Sequence, residues 1–352
     1  MNLDDLAYMQ QLDTDHMLRH IDGLPDQFEA AWHHAQTLPL PASVRQVALL
    51  GMGGSAIGGD LLAAYLAGRS KVAVSVVRGY DLPAWVHGQE TLVIASSFSG
   101  NTEETLAAYD QALARDVQVL GMTTGGKLAQ QLAAHNHLAW TFSTDIGHPR
   151  AAIGWSFGLL LALAARAGWA EGIEADLKDA IATLKAYRER YAASVPAATN
   201  HAKRQAGQFI GRVPVFIGAG IFEPIARRWK GQLNENSKVW AMFDVLPEMN
   251  HNTVVGIEFP QEVLGKLAVM FIASPQYDHP RVALRHQLTQ ELFLTSGIMT
   301  DRFEPVGDNP LTQMLHAIQF GDYLSYYTAM AYGADPAVIM PIQELKAALA
   351  NL

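Results

Sequence analysis

Short apolar runs alternate with helical segments along most of this 352-residue sequence, and the runs end in turns rich in glycine or hydroxyl side chains. The first half contains the apolar runs Val47–Leu50 and Leu92–Ala95, each followed by such a turn and a helical segment. The same order begins again at Val213. This alternation predicts an α/β fold, in which parallel strands form a sheet with helices on both faces.

The second half of the chain repeats the pattern of the first. Gly51 and Gly218 occupy equivalent places, immediately after the first strand of each half. Pro196 and the Ala/Thr/Asn stretch that follows it indicate a boundary between the halves. We therefore predict a tandem duplication. The predicted segments are a helical arm at 1–40, a first domain at 41–195 and a second domain at 205–352.

The composition excludes several classes of protein. Lys and Arg number 25 and Asp and Glu 34, which gives a net charge of −9, whereas a nucleic-acid binder needs a basic face. The absence of cysteine excludes disulfides and thiolate chemistry. The N-terminal segment lacks the apolar core of a signal peptide, and the longest apolar run, Ala151–Ala165, is too short to span a membrane. We therefore expect a soluble cytoplasmic protein without membrane or nucleic-acid partners.

The first stretch whose side chains could form a functional site is SSFSGNTEET, Ser96–Thr105. It places the hydroxyls of Ser97, Ser99 and Thr102 beside the free backbone N–H groups of a helix start, a combination that binds phosphate. Gly100 lets the backbone approach an anion closely. The alternative interpretation is an ordinary helix cap, with a glutamate at the capping-box position, worth about 1 kcal/mol.

The second stretch is the glycine-rich GMGGSAIGGD, Gly51–Asp60. It satisfies a loose form of the dinucleotide-binding fingerprint, and Arg78 after the next strand suits a 2′-phosphate. Three of the glycines have no place in that fingerprint: Gly54, Gly58 and Gly59. A second interpretation is a loop that brings N–H groups and Ser55 against a sugar, and a third is tight packing between strand and helix.

The third stretch, Gly231–Asn252, carries ionisable side chains between apolar runs. Glu235 lies near the end of a predicted helix, and His251 follows after a proline turn. A carboxylate and an imidazole on neighbouring segments are the minimum for moving protons near pH 7. The alternative is a solvated loop. Arg150, which precedes the apolar run described above, is either an anion clamp or a charge that flanks a helix.

These motifs together resemble the bifunctional phosphoglucose/phosphomannose isomerase family, a branch of the sugar isomerase (SIS) domain superfamily. The resemblance extends over nearly the whole chain, to the segment Gly321–Pro336. Its motifs are GMGGS at 51–55, SFSGNTEET at 97–105, TTGG at 123–126, NENSK at 234–238 and LPEMNHN at 246–252. The resemblance implies two tandem SIS domains, each a five-stranded parallel sheet flanked by helices, in a homodimer without metal or organic cofactor.

The resemblance also implies roles for individual residues. The catalytic base corresponds to Glu235, the ring-opening histidine to His251 and the active-site arginine to Arg150. In relatives the histidine comes from the other subunit. The residues that correspond to the phosphate- and sugar-binding positions are Ser97, Ser99, Thr102, Gly53, Gly54 and Ser55. Some relatives have a lysine where alignment on Gly333 and Pro336 places Tyr327, which can hydrogen-bond a sugar but carries no charge at neutral pH.

The implied reaction is aldose–ketose isomerisation of a hexose 6-phosphate, through a cis-enediolate. Two other functions are compatible with parts of the sequence. A non-catalytic sugar-phosphate sensor would keep the hydroxyl-rich turn but would not need both Glu235 and His251. An NADP-dependent oxidoreductase would use the glycine loop and Arg78.

Overall fold

The computed structural model describes residues 2–349. The strands are β1 Gln46–Leu50, β2 Ala73–Val77, β3 Thr91–Ser96, β4 Gln118–Thr123, β5 Leu138–Thr141, β6 Val213–Ala219, β7 Met242–Leu246, β8 Leu267–Ile272 and β9 Met299–Phe303. The helices are α1 Leu6–Leu12, α2 Met17–Asp22, α3 Leu24–Ala35, α4 Gly53–Leu66, α5 Glu103–Ala112, α6 Gly126–Ala134, α7 Ile153–Arg166, α8 Ile173–Tyr191, α9 His201–Gln208, α10 Glu223–Ser237, α11 Gln261–Leu264, α12 Pro280–Thr295, α13 Pro310–Tyr332 and α14 Met340–Leu349.

The chain forms two compact units, and each consists of more than one segment. The N-terminal unit contains Gly23–Lys185 and Val306–His316. Of the described residues, the C-terminal unit contains 2–22, Ala186–Pro305 and 317–349. The domain limits predicted from the sequence are continuous segments, and they stay a prediction.

The N-terminal unit is built on a parallel sheet of five strands in the order β2-β1-β3-β4-β5. Every residue of β3 is buried, because β3 is the central strand and helices cover both faces of a parallel sheet. The apolar run after Arg150 forms α7, whose middle is almost entirely buried, as predicted.

The C-terminal unit has a parallel sheet in the order β7-β6-β8-β9. Among residues 2–349 this sheet has four strands, so the expectation of five strands in each domain is wrong for the second half. The four strands follow the same order as β2-β1-β3-β4 of the N-terminal unit, which confirms the predicted duplication of an α/β unit. Both halves therefore place the carboxyl ends of equivalent strands at one edge of a sheet, where such folds bind their ligands.

No helix among residues 2–349 combines the length and the apolar character that crossing a bilayer requires.

Candidate functional site

The hydroxyl-rich turn lies between β3 and α5 and surrounds the start of that helix. Thr102 is the N-cap residue of α5, but its side chain makes no capping hydrogen bond. Instead Thr102 Oγ1 and Ser97 Oγ are 2.9 Å apart and hydrogen-bonded to each other. The first N–H groups of a helix have no partner within the helix. This turn therefore offers an anion both uncapped N–H groups and paired hydroxyls, as phosphate binding requires, and the capping interpretation is wrong for Thr102.

Backbone contacts with a neighbouring turn fix the shape of this loop. Gly100 has φ +67°, and a Cβ built on it would stand 1.8 Å from the carbonyl oxygen of Gly125, in the turn after β4. Gly126 has φ +70°, and a Cβ built on it would stand 2.3 Å from the carbonyl oxygen of Ser99. Asn101 connects the two turns, since its side chain donates to Ser99 O and accepts from the N–H of Lys127. The conformation of the hydroxyl-rich turn is therefore set before any ligand binds.

The glycine-rich loop begins α4, and packing accounts for most of its glycines. A Cβ on Gly54 would lie 2.8 Å from the carbonyl oxygen of Pro149, and one on Gly59 would lie 2.9 Å from Val76. Gly53 adopts φ +50°, a conformation that glycine accepts most readily. The absence of side chains at Gly54 and Gly59 brings α4 against its neighbours, so these two glycines have a packing role, whereas a Cβ on Gly58 would make an ordinary contact at 3.4 Å.

Arg150 and Ser55 belong to the same unit and lie near the same loop. Arg150 is in the 3-10 turn Pro149–Ala151, which packs against Gly54, and its side chain is buried. Ser55 Oγ accepts a hydrogen bond from the N–H of Phe98, within the hydroxyl-rich turn. The N-terminal unit thus brings the turn that carries Arg150 next to the glycine-rich loop, and Ser55 next to the hydroxyl-rich turn.

Glu235 is in the C-terminal unit, in the last turn of α10, and is partly buried. The residues after it attach the helix end to α13. Asn236 Nδ2 donates to Ser325 Oγ at 2.9 Å, and Ser237 Oγ donates to the carbonyl oxygen of Ser325 at 2.6 Å. These buried hydrogen bonds fix the backbone that carries the Glu235 carboxylate.

Lys238 ends α10 in a left-handed conformation, with φ 57°. Its Nζ donates to the carbonyl oxygens of Glu235 and Asn236, at 3.0 and 3.1 Å, and to that of Asp335. The lysine of the NENSK motif thus satisfies carbonyls that a helix end leaves without partners. One of these carbonyls belongs to Glu235, so Lys238 holds the backbone of the residue predicted to be the catalytic base.

His251 is exposed, at the end of the 3-10 turn Glu248–His251. Asn250 fixes this turn to α12: its Nδ2 donates to Thr289 Oγ1 at 2.9 Å, and its Oδ1 accepts from Arg285 at 3.1 Å. Glu235 and His251 therefore stand on separate elements of the C-terminal unit, and the imidazole faces outward from its turn.

Two residues considered at the sequence level have other partners. Tyr327 is completely buried, and its hydroxyl donates to the carbonyl oxygen of Tyr191 at 2.5 Å. Burial raises the pKa of Tyr327 well above its usual value, so the phenol stays protonated. Arg78 forms an ion pair with Asp60, the last residue of the glycine-rich stretch. That pairing removes the cation on which the NADP interpretation depended.

Sequence reasoning missed three residues that organise these segments: Asn101, Lys238 and Asn250. Each acts through contacts with backbone or with residues distant in sequence. Their only signal in the sequence is their position within the SGNT, NENSK and PEMNHN motifs.

Comparison with known proteins places these segments in context. The model of the bacterial phospho-glucose isomerase C-terminal SIS domain matches residues 198–349, and that of the SIS domain matches 42–148. A bifunctional phosphoglucose/phosphomannose isomerase of Caldicellulosiruptor bescii is 38% identical over 96% of this chain and 99% of its own length. One of Aquifex aeolicus is 31% identical over 93% and 96%. The crystal structure of a glucose-6-phosphate isomerase like protein from Thermus thermophilus aligns over 96% and 98%, with a TM-score of 0.64 and 20% identity.

Proposed function

Since the chain belongs to the bifunctional phosphoglucose/phosphomannose isomerase family, we propose that it interconverts fructose 6-phosphate with glucose 6-phosphate and mannose 6-phosphate. The observation that carries this proposal is the uncapped start of α5 beneath the Ser97–Thr102 hydroxyl pair. Together with Ser99 these groups form the proposed phosphate site. Binding energy gained at the phosphate positions the distant carbons that react.

We assign the chemistry to three side chains. His251 moves a proton between the ring oxygen and the O1 hydroxyl and so opens the ring. Glu235 then removes the proton from C2 of the aldose and returns it to C1, which passes the substrate through a cis-enediolate. Arg150 stabilises the negative charge that develops on the oxygens. Gly53, Gly54 and Ser55 contact the sugar, whereas the buried, hydrogen-bonded Tyr327 is left out of this proposal.

One base serves both aldoses in this scheme, because rotation about C2–C3 presents either C2 hydrogen to the same carboxylate. No metal or organic cofactor takes part in the proposed steps. We also propose that the protein acts in the cytoplasm as a homodimer, in which His251 of each copy completes the other copy's site. The exposed position of His251 supports this sharing.

The direct test is NMR observation of fructose 6-phosphate with the wild type and with Glu235→Gln. We expect both aldose phosphates from the wild type. Loss of a general base lowers kcat by about 10²–10⁴-fold, whereas KM should change little because Gln keeps the shape of the side chain. Lys230→Gln, a change on the same helix outside the proposed site, serves as the control.

Two results would contradict the assignment. A Glu235→Gln variant with the wild-type rate would show that another group is the base. Thermal stabilisation of the wild type by fructose 6-phosphate without any aldose product would indicate the non-catalytic sensor instead.

Sharing of the site has its own test, in which Glu235→Gln and His251→Ala are mixed after mild dissociation. Neither variant is active alone, but a mixed dimer contains one site with both wild-type residues. Random reassociation should therefore restore about a quarter of the wild-type activity. No recovery from a mixture shown to contain mixed dimers would contradict a shared site.

A further inference from the structure

Lys238 follows α10 at the position where helices commonly end in glycine. Its φ of 57° is left-handed, a conformation that is unfavourable for a residue with a long side chain. The chain turns back here, since the N–H of Val239 donates to the carbonyl oxygen of Leu233 at 3.3 Å. That N–H is therefore not available to the carbonyl of Glu235, which accepts from Lys238 Nζ. A lysine in place of glycine indicates that this position needs the side chain.

The ammonium group of Lys238 also reaches the segment between α13 and α14, where it donates to the carbonyl oxygen of Asp335. Asp335 is itself fixed by two hydrogen bonds. Its Oδ1 accepts from the N–H of Ala337 at 2.8 Å, and its Oδ2 accepts from Thr14 Oγ1 at 2.5 Å. Thr14 lies between α1 and α2. We call Thr14, Asp335 and Lys238 the Lys238 clamp, and all three belong to the C-terminal unit.

The Lys238 clamp differs from the other contacts at this helix end. Asn236 and Ser237 attach to Ser325 through their own side chains. Lys238 Nζ instead binds the carbonyl oxygen of Glu235, at 3.0 Å. Holding that carbonyl fixes the last backbone dihedral of Glu235, and with it the direction in which the glutamate side chain leaves the helix.

We propose that Lys238, held by Asp335 and Thr14, is a positioning residue that aims the Glu235 carboxylate for proton transfer. This inference rests on the proposed function, because it requires Glu235 to be the base. Lys238 acts through the backbone of Glu235 and needs no contact with the sugar. The expected benefit is large, since a misplacement of about 1 Å in a reacting group can lower a rate by about 100-fold.

The variant Lys238→Gly separates positioning from stability. It removes the ammonium group but gives the left-handed position the residue that suits it best, so the urea midpoint should stay near that of the wild type. We expect kcat for fructose 6-phosphate to fall by about 10–100-fold. KM should stay within about twofold, because the proposed phosphate site is in the N-terminal unit. Asn136→Gly is the matched control: Asn136 has φ 53° and is exposed beyond the end of α6, so kcat and KM should not change.

Two further substitutions test whether hydrogen-bond donors at this position are what matters. Lys238→Met keeps an unbranched apolar chain without a donor, and it should lose as much kcat as Lys238→Gly. Lys238→Arg offers several N–H donors to the same carbonyls, so kcat should return to within about threefold of the wild type.

A double-mutant cycle tests the far end of the Lys238 clamp. Thr14→Val removes the hydrogen bond to Asp335, so kcat should fall by about threefold in the wild-type background. It should have no further effect in Lys238→Met, because both changes break the same connection. Thr199→Val is the control: Thr199 is also an exposed threonine of this unit, and its hydroxyl donates to the nearby carbonyl of Pro196 at 3.2 Å. That variant should keep the wild-type kcat.

Amide hydrogen exchange, read by mass spectrometry, reports on the helix end without any turnover. Exchange at residues 235–237 should be faster in Lys238→Gly than in the wild type, whereas exchange in α12 should be the same in both.

The outcomes separate this inference from the proposed function. A folded Lys238→Gly variant with the wild-type kcat, or with unchanged exchange at residues 235–237, would overturn the positioning role. Independent losses from Thr14→Val and Lys238→Met would overturn the part assigned to Thr14. Each of these results leaves the isomerase proposal intact as long as the wild type converts fructose 6-phosphate and Glu235→Gln does not. A wild type without turnover would overturn the isomerase proposal, and with it the role of Lys238.

Discussion

The helices α5 and α12 follow equivalent strands, β3 and β8, of two sheets with the same strand order. Their first turns nevertheless differ. The N-cap residue of α5 is Thr102, whose hydroxyl is paired with Ser97 and caps nothing. The N-cap residue of α12 is His279, whose Nδ1 accepts from the N–H of Arg281, and Pro280 has no N–H to offer. Only the first of the two helix starts is available to an anion.

The comparison shows how two copies of one fold can take different roles in a single protein. Both halves inherit a helix start at the carboxyl edge of the sheet, which is a general anion site. In the C-terminal unit His279 caps that start and Pro280 supplies no N–H group, so fewer donors remain for an anion. In our proposal the N-terminal unit keeps this helix start for binding phosphate, whereas the C-terminal unit carries the acid–base residues.

The largest expected effect comes from closing the α5 site with a cap. Thr102→Asp supplies a favoured N-cap side chain, so stability should not fall, but it places a carboxylate where phosphate is proposed to bind. We expect kcat/KM for fructose 6-phosphate to drop by about a thousandfold through repulsion of like charges.

Two variants serve as controls for Thr102→Asp. Thr102→Ser keeps the hydroxyl and should stay near wild type. His279→Asp exchanges one cap for another on α12 and should leave kcat/KM unchanged. Equal losses in Thr102→Asp and His279→Asp would contradict the division of work between the two helix starts.

The next largest effect is on stability, and it concerns the close contact in the N-terminal unit between the turn after β3 and the turn after β4. In Gly100→Ala the added methyl group meets Gly125 O, and the backbone keeps a positive φ. We expect a loss of about 3–4 kcal/mol in the free energy of unfolding, measured by urea denaturation.

Gly211→Ala in the C-terminal unit is the control for Gly100→Ala, because Gly211 has φ +72° and open space around its Cβ position. It should lose only about 1 kcal/mol. If the two variants were equally stable, the contact between the turns would have no energetic importance.

The smallest expected effect is the pH dependence of stability that a buried histidine gives the C-terminal unit. Burial, with a contribution from Arg302, lowers the pKa of His286 to about 4. His286 of the unfolded chain therefore takes up a proton near pH 6.5, whereas that of the native chain does so only near pH 4. The free energy of unfolding should fall as the pH drops from about 6.5 towards 4, by about 3 kcal/mol in all and by about 2 kcal/mol at pH 5. Burial raises the pKa of the neighbouring Asp278, which offsets part of this loss in acid.

Urea midpoints at pH 7.5 and pH 5 measure that dependence. In His286→Gln the difference between the two midpoints should shrink. An unchanged difference would show that other groups carry the acid sensitivity.

The sequence predicted the central strands and the edge strand β2, and it missed other edge strands. The buried runs within β1 and β3 were recognised because both faces of a central strand are apolar. The runs at β7 and β9 were not recognised. These edge strands are only partly buried along most of their length, so they lack a continuous apolar run.

The hydroxyl-rich turn was predicted as a phosphate site, but the sequence left the cap as an equal alternative. The choice depends on whether Thr102 Oγ1 turns to its own helix or to Ser97, which only the folded loop decides. The glycines of α4 were harder still, because Gly54 packs against Pro149, almost a hundred residues later in the chain. Contacts of that kind leave no local pattern.

The missing cap on α5 also has a consequence for the lifetime of the protein. A phosphate ester bound at that turn would accept hydrogen bonds from the first N–H groups of α5, which the Thr102 side chain does not do. Its binding would favour the folded chain by mass action. Molecules without sugar phosphate would then be the first to unfold and be degraded. The size of the metabolite pool would in this way set how long each molecule survives, as well as how fast it works.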